Sequence, residues 1–197
     1  MDYFEVFGLP RQLRVDAEAL QRRFYELSRQ HHPDFHQSAA PEQQAAALEA
    51  SAQLNRAYRA LSDPLRRVEY LIVLEEGRET REGSDSRPRA PRELLEEMLE
   101  VQEALAEAKS EGLGAESRAR LLEQQARLAD RLATEEEAIL GRAAEWDTLV
   151  EGEGDRKPLL EWFKQKLATR AYLRTVIDDL SDAFGEDQDL HVSHRRH

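Results

Sequence analysis

Leu20, Phe24, Leu27 and His31 recur at intervals of four, three and four residues, which brings them to one face of a helix. Asp16 stands where it can cap that helix, and Pro33 disfavours helical geometry in the residue before it, so the helix ends near His31 or His32. A shorter helix is predicted ahead of it over residues 2–9. Tyr3, Phe4, Val6, Phe7 and Leu9 supply its apolar bulk, and Gly8 and Pro10 break it. Ser38–Gln44 reads as a loop, and the alanine-rich stretch Gln43–Leu61 as a helix of high intrinsic propensity. Asp63 and Pro64 then provide a cap and a proline at the first helical position for an element over Asp63–Leu74 that buries Val68, Leu71 and Ile72.

The pattern changes between residues 76 and 91. Gly77, Gly83, Ser84, Ser86, Pro88 and Pro91 alternate with charges of both signs, and apolar residues almost vanish, as in a linker. Helical periodicity returns with Leu94, Met98, Val101 and Leu105, a seam over about Arg92–Ser110 that Gly112 and Gly114 end. A second helix is predicted from Ala115 towards Val150, with Leu121, Gln125, Leu128, Leu132, Ile139, Trp146 and Val150 near one face and a possible break at Gly141. In the last helix Leu173, Ile177, Leu180 and Phe184 form one seam, whereas Leu160, Phe163 and Leu167 point elsewhere. A kink or a second contact surface would each explain that shift. Trp146 and Trp162 read most simply as core. No strand pattern or repeat appears, so the predicted class is all α. A helical unit is expected over 1–75, a linker over 76–91, a three-helix bundle over 92–184 and a disordered tail over 185–197.

Composition narrows what such a protein does. Of 197 residues, 40% are hydrophobic, enough for a modest core. The net charge of −12 argues against nucleic acid, whose phosphates need a clustered positive field. Residues 1–75 carry 9 basic and 11 acidic groups and residues 92–184 carry 13 and 22, so a partner of the second half is expected to present positive charge. With no cysteine, the chain itself offers no disulfide, thiolate nucleophile or cysteine-ligated metal. No apolar run approaches the roughly 18 residues of a membrane span, and the N-terminus lacks a basic region followed by an apolar one, so no membrane association is expected and the cytoplasm is the simplest location.

The chemistry concentrates at His32-Pro33-Asp34. Pro33 fixes a bend at the end of the second helix, and Asp34 offers a short carboxylate able to accept a charge-assisted hydrogen bond from an arginine of a partner. On the helix face opposite the apolar seam, Arg22, Tyr25 and Arg29 form a basic-aromatic surface leading to the bend. Together with Asp2-Tyr3-Phe4-Glu5-Val6-Phe7-Gly8-Leu9 before it, and Asn55-Arg56-Ala57-Tyr58 to Ser62-Asp63-Pro64 after it, this arrangement resembles the J domain of DnaJ-like co-chaperones. The resemblance implies that His32, Pro33, Asp34, Arg22, Tyr25 and Arg29 dock on an Hsp70-type chaperone and stimulate its ATPase. Phe35 departs from the lysine common at that place in J domains, which bears on electrostatic attraction to the chaperone.

The first helix of the second half carries a further surface. With Leu94 at zero, Leu95 and Leu99 lie at roughly 100° and 140°, beside the seam, and Glu103, Glu96, Glu107 and Glu100 fill the arc from roughly 180° to 240°. By itself this strip reads as ordinary surface leucines beside a solvated face. A J domain followed by an acidic three-helix segment, however, resembles the HscB family, co-chaperones of iron-sulfur cluster assembly, over residues 1 to about 184. That resemblance implies an HscA-like chaperone and the cluster scaffold IscU as partners. It further implies a scaffold surface at Leu95, Glu96, Leu99, Glu100, Glu103 and Tyr172, without cofactor or enzymatic activity. Glu96 replaces a residue that is apolar in some relatives, and the linker is longer than usual.

Two other readings have less support. A metal or acid–base site at His32, Asp34 and His36 is opposed by Pro33, which interrupts the helix, and by the lack of a carboxylate pair. His191, His194 and His197 are spaced by three but belong to a segment expected to fray. The alternative function is a J protein for a different client, its second half serving dimerisation or other protein binding.

Overall fold

Asp2 opens the first helix with a reciprocal cap: its side chain accepts from the Glu5 amide at 2.9 Å, and Glu5 accepts from the Asp2 amide at 2.8 Å. The computed structural model describes residues 2–31, 40–77, 94, 95, 99, 101–103, 105, 106 and 114–193. Seven helices are labelled: α1 (Tyr3–Phe7), α2 (Ala17–Gln30), α3 (Pro41–Ser62), α4 (Pro64–Glu75), α5 (Ala115–Gly141), α6 (Ala143–Glu151) and α7 (Lys157–Ser193). Leu95, Leu99 and residues 101–103, 105 and 106 are helical as well. The class is all α, with no strand among the described residues and no helix there long and apolar enough to cross a membrane.

The chain forms two units, Met1–Glu82 with Ile139–Phe163, and Gly83–Ala138 with Lys164–His197. The first therefore includes a segment that the sequence pattern assigned to the bundle over 92–184. In it α1, α2 and α4 pack on α3 around Phe4, Phe7, Leu20, Leu54, Leu61, Val68 and Leu71. Helix α2 begins where Asp16 accepts from the Ala19 amide at 3.0 Å and ends on His31, whose amide donates to the Leu27 carbonyl. Helix α3 starts at Pro41, inside the stretch expected to be loop. At the first helical position a missing amide costs nothing and the fixed φ is already helical, so the polar stretch there did not prevent helix formation.

Asp63 caps α4 by accepting from the amides of Leu65 and Arg66, both at 2.9 Å. Loss of such a cap costs about 1 kcal/mol. Asp63→Ala is accordingly expected to lower the unfolding free energy by that amount, read as a lower urea midpoint with an unchanged slope of the transition; an unmoved midpoint would show that the cap adds nothing here.

Tyr70 joins α4 to α1: its ring stacks on Tyr3 with centroids 4.3 Å apart, and its hydroxyl accepts from the Tyr3 amide at 2.8 Å. Burial pushes its phenol from the ordinary 10.0 up to about 12, against the opposing effect of the Tyr3 hydrogen bond. The folded state thus holds this proton more tightly than the unfolded state. The contribution is fully present below pH 10 and is lost as pH rises towards 12. Tyr70→Phe should cost about 1 kcal/mol at neutral pH through the lost acceptor. It should also flatten the fall in stability between pH 10 and 12, which denaturant titrations at stepped pH would register.

Helix α5 ends at Gly141, the break anticipated there, and α6 follows after Arg142. Ile139, Trp146, Leu159 and Phe163 are buried in the first unit. The second unit closes around Leu94, Val101, Leu121, Leu128, Leu173, Val176 and Leu180, with Leu105, Leu132, Tyr172 and Ile177 packed against them. Helix α7 serves both units, its start in the first and the remainder in the second, which accounts for the change of apolar face along it. Leu159, rather than Leu160, is the buried leucine of its first turns. The helix also runs on to Ser193, through the segment expected to be tail, because one glycine, Gly185, costs only about 1 kcal/mol in a helix already propagating. Trp162 departs from its expected core role: it is only half-buried, with the Arg142 guanidinium 4.6 Å from its ring centroid and Phe163 edge-on to it. A cation over the ring supplies favourable contact without burial.

Candidate functional site

The outward face of α2 carries Arg22, Tyr25 and Arg29, all exposed, Tyr25 to 56%. The reason lies on the other side of the helix. Phe24 stacks on Tyr58 of α3 at 4.2 Å between centroids, so the helix turns buried Leu20 and half-buried Phe24 inward and the positions between them outward. Phe24 also meets the Tyr25 ring at 5.7 Å, which braces that exposed aromatic. Arg22 lies 3.5 Å from Glu18, one turn earlier; both are well exposed, so the pair is weak and its guanidinium is readily recruited by another carboxylate. His32, Pro33 and Asp34, like Phe35 and His36, lie outside the described residues, between the end of α2 and the start of α3.

The nine residues before α2 are held by charged side chains that the sequence pattern did not single out. Asp147 of α6, 2% exposed, accepts from the Leu13 amide at 2.6 Å, from the Arg14 amide at 3.1 Å and from Arg14 Nε at 3.0 Å. The neighbouring Trp146 donates from Nε1 to the Arg11 carbonyl at 3.4 Å. From α4, buried Arg67 donates to the Leu13 carbonyl and, through two nitrogens at 2.8 and 2.6 Å, to the Leu61 carbonyl. Burial lowers the pKa of Arg67, with Asp63 and Asp147 acting in the opposite direction. The only local signal for the acid was a carboxylate next to an apolar tryptophan.

In the second unit Leu94 and Val101 are buried, whereas Leu95 is 52% and Leu99 60% exposed. Glu103 is exposed too, and Glu96 and Glu100 lie outside the described residues. Tyr172 is half-buried and packs against the core of this unit, so it does more than display a ring. Its burial raises the phenol pKa, and Asp179 adds to the rise. Among the described residues no group of three or more histidine or acidic side chains is placed to hold a metal ion. His191 lies in the last turn of α7, and His194 and His197 lie outside the described residues.

Residues 2–70 match the DnaJ domain family. Along most of its length the chain is similar to two solved structures. One is the chaperone HscB from Vibrio cholerae, at 25% identity and a TM-score of 0.53 over 98% of this chain and 99% of that one. The other is the human co-chaperone protein HscB, at 27% identity and a TM-score of 0.62 over 92% and 81%.

Proposed function

From the premise that this chain is an HscB-like J-domain co-chaperone with an Hsp70-type chaperone as partner, we propose that it works with an HscA-like chaperone and delivers the iron-sulfur scaffold IscU to it. In this reading His32, Pro33 and Asp34, with the Arg22-Tyr25-Arg29 face, engage the chaperone and stimulate ATP hydrolysis. Leu95, Leu99, Glu96, Glu100, Glu103 and Tyr172 receive the scaffold. The hydrolysis itself is the chaperone's chemistry; this protein supplies binding energy to the ATPase-competent state, and a ligand shifts an equilibrium only by its differential affinity for the two states.

The observation that carries the scaffold assignment is a contrast within one short stretch of sequence. Leu94 and Val101 are buried, yet Leu95 and Leu99 of the same segment stay more than half exposed. Two leucines bordered by carboxylates suit an apolar contact ringed by polar ones, the anatomy of a protein interface centre. The excess of acidic groups in residues 92–184 further favours a partner that presents positive charge.

Calorimetric titration with purified scaffold protein tests this reading. The expected result is saturable binding that weakens as salt rises. No heat with an IscU-type scaffold, together with a dimeric mass by light scattering, would favour a J protein whose second unit pairs with itself.

A further inference from the structure

Resting on the J-domain reading, we propose that Asp147 is a positioning residue for chaperone docking: from outside the segment that matches the DnaJ domain, it holds the lead-in of α2 and so sets how that helix is presented. The backbone of Leu13 is gripped at both its amide and its carbonyl. Its amide donates to Asp147 of α6, and its carbonyl accepts from Arg67 of α4. The next amide, Arg14, donates to the second carboxylate oxygen, and the Arg14 side chain closes on that same oxygen. Two residues later Asp16 caps α2. Residues 9–15 have no helix of their own, so these bonds, with Trp146 on the Arg11 carbonyl, determine where α2 begins.

A carboxylate suits this place better than a neutral group of the same shape. All the donors aimed at it are N–H groups, and a buried acceptor with three such partners is well satisfied. In Asp147→Asn one oxygen becomes an NH2, which in either orientation of the amide faces an N–H donor to donor, that of Leu13 or those of Arg14. Asp147→Ala removes every acceptor. Neither change touches Arg22, Tyr25, Arg29 or His32-Pro33-Asp34, so the groups that engage the chaperone remain while the support of their helix is lost.

The experiment measures ATPase turnover of an Hsp70-type chaperone against concentration of the full chain, for wild type, Asp147→Asn, Asp147→Ala and Asp34→Asn. We expect the half-maximal concentration of the Asp147 variants to rise about tenfold, with an unchanged plateau and unchanged scaffold affinity. Hydrogen exchange at the Leu13 and Arg14 amides should accelerate. Asp147→Asn decides the matter if the alanine variant does not fold. A wild-type half-maximal concentration in a folded variant overturns the proposal, whatever the exchange rates. Loss of helicity and scaffold affinity in both variants also overturns it, because Asp147 would then be a folding residue. Failure of the J-domain reading looks different: wild type itself would not stimulate, or Asp34→Asn would match it.

Discussion

Asp34→Asn is expected to return the ATPase turnover of an Hsp70-type chaperone from its stimulated rate to its basal rate while leaving helix content unchanged. Asparagine keeps the shape of the side chain but removes the charge that accepts from a partner arginine. Truncating one member of a desolvated, hydrogen-bonded charge pair costs about 2–5 kcal/mol, roughly thirty-fold to several thousand-fold in affinity. His32→Gln should have the same consequence. Helix α2 has already ended, with His31 closing onto the Leu27 carbonyl, so neither substitution falls within it. Circular dichroism and steady-state phosphate release separate the possibilities, and full stimulation by a fully helical variant removes the assignment.

The double change Leu95→Ala with Leu99→Ala should weaken scaffold binding by about 2–4 kcal/mol, on the order of a hundred-fold, if both side chains are covered in the complex. Because they are 52% and 60% exposed in the free protein, the unfolding midpoint should hardly move. Chaperone stimulation without scaffold should stay at its wild-type level. Equal scaffold affinity by calorimetry would make the strip ordinary surface.

The helical periods of this chain were legible because burial selects one residue in every three or four. Leu94, Val101, Leu121, Leu128, Leu173 and Leu180 fall on the core where the spacing put them. Asp16, and Asp63 with Pro64, mark helix starts by short-range chemistry. Which unit a face serves was not legible. Trp146 continues the apolar run that includes Leu121 and Leu128, yet it is buried beside the Arg11 carbonyl in the first unit, because periodicity specifies a face and not its partner. Asp147 was hidden more thoroughly: the amide it accepts from at Leu13 is 134 residues away, and no local pattern announces a bond to a backbone donor. On the candidate site, the off-seam angles of Leu95 and Leu99 anticipated their exposure, whereas no periodicity pointed to Tyr172, which the family resemblance alone assigned to the scaffold surface and which also packs against the core. The His32-Pro33-Asp34 motif stands out in the sequence through its flanks and lies outside the described residues.

We expect this protein to activate an ATP-driven chaperone through one unit while handing it cargo through the other. Single-turnover and steady-state ATP hydrolysis by the chaperone, measured with the full chain alone, with scaffold alone and with both, tests this most directly. More-than-additive turnover when both are present, lost in Asp34→Asn and reduced in the Leu95/Leu99 double variant, is the predicted result. Strictly additive rates, unchanged by either set of substitutions, would contradict it.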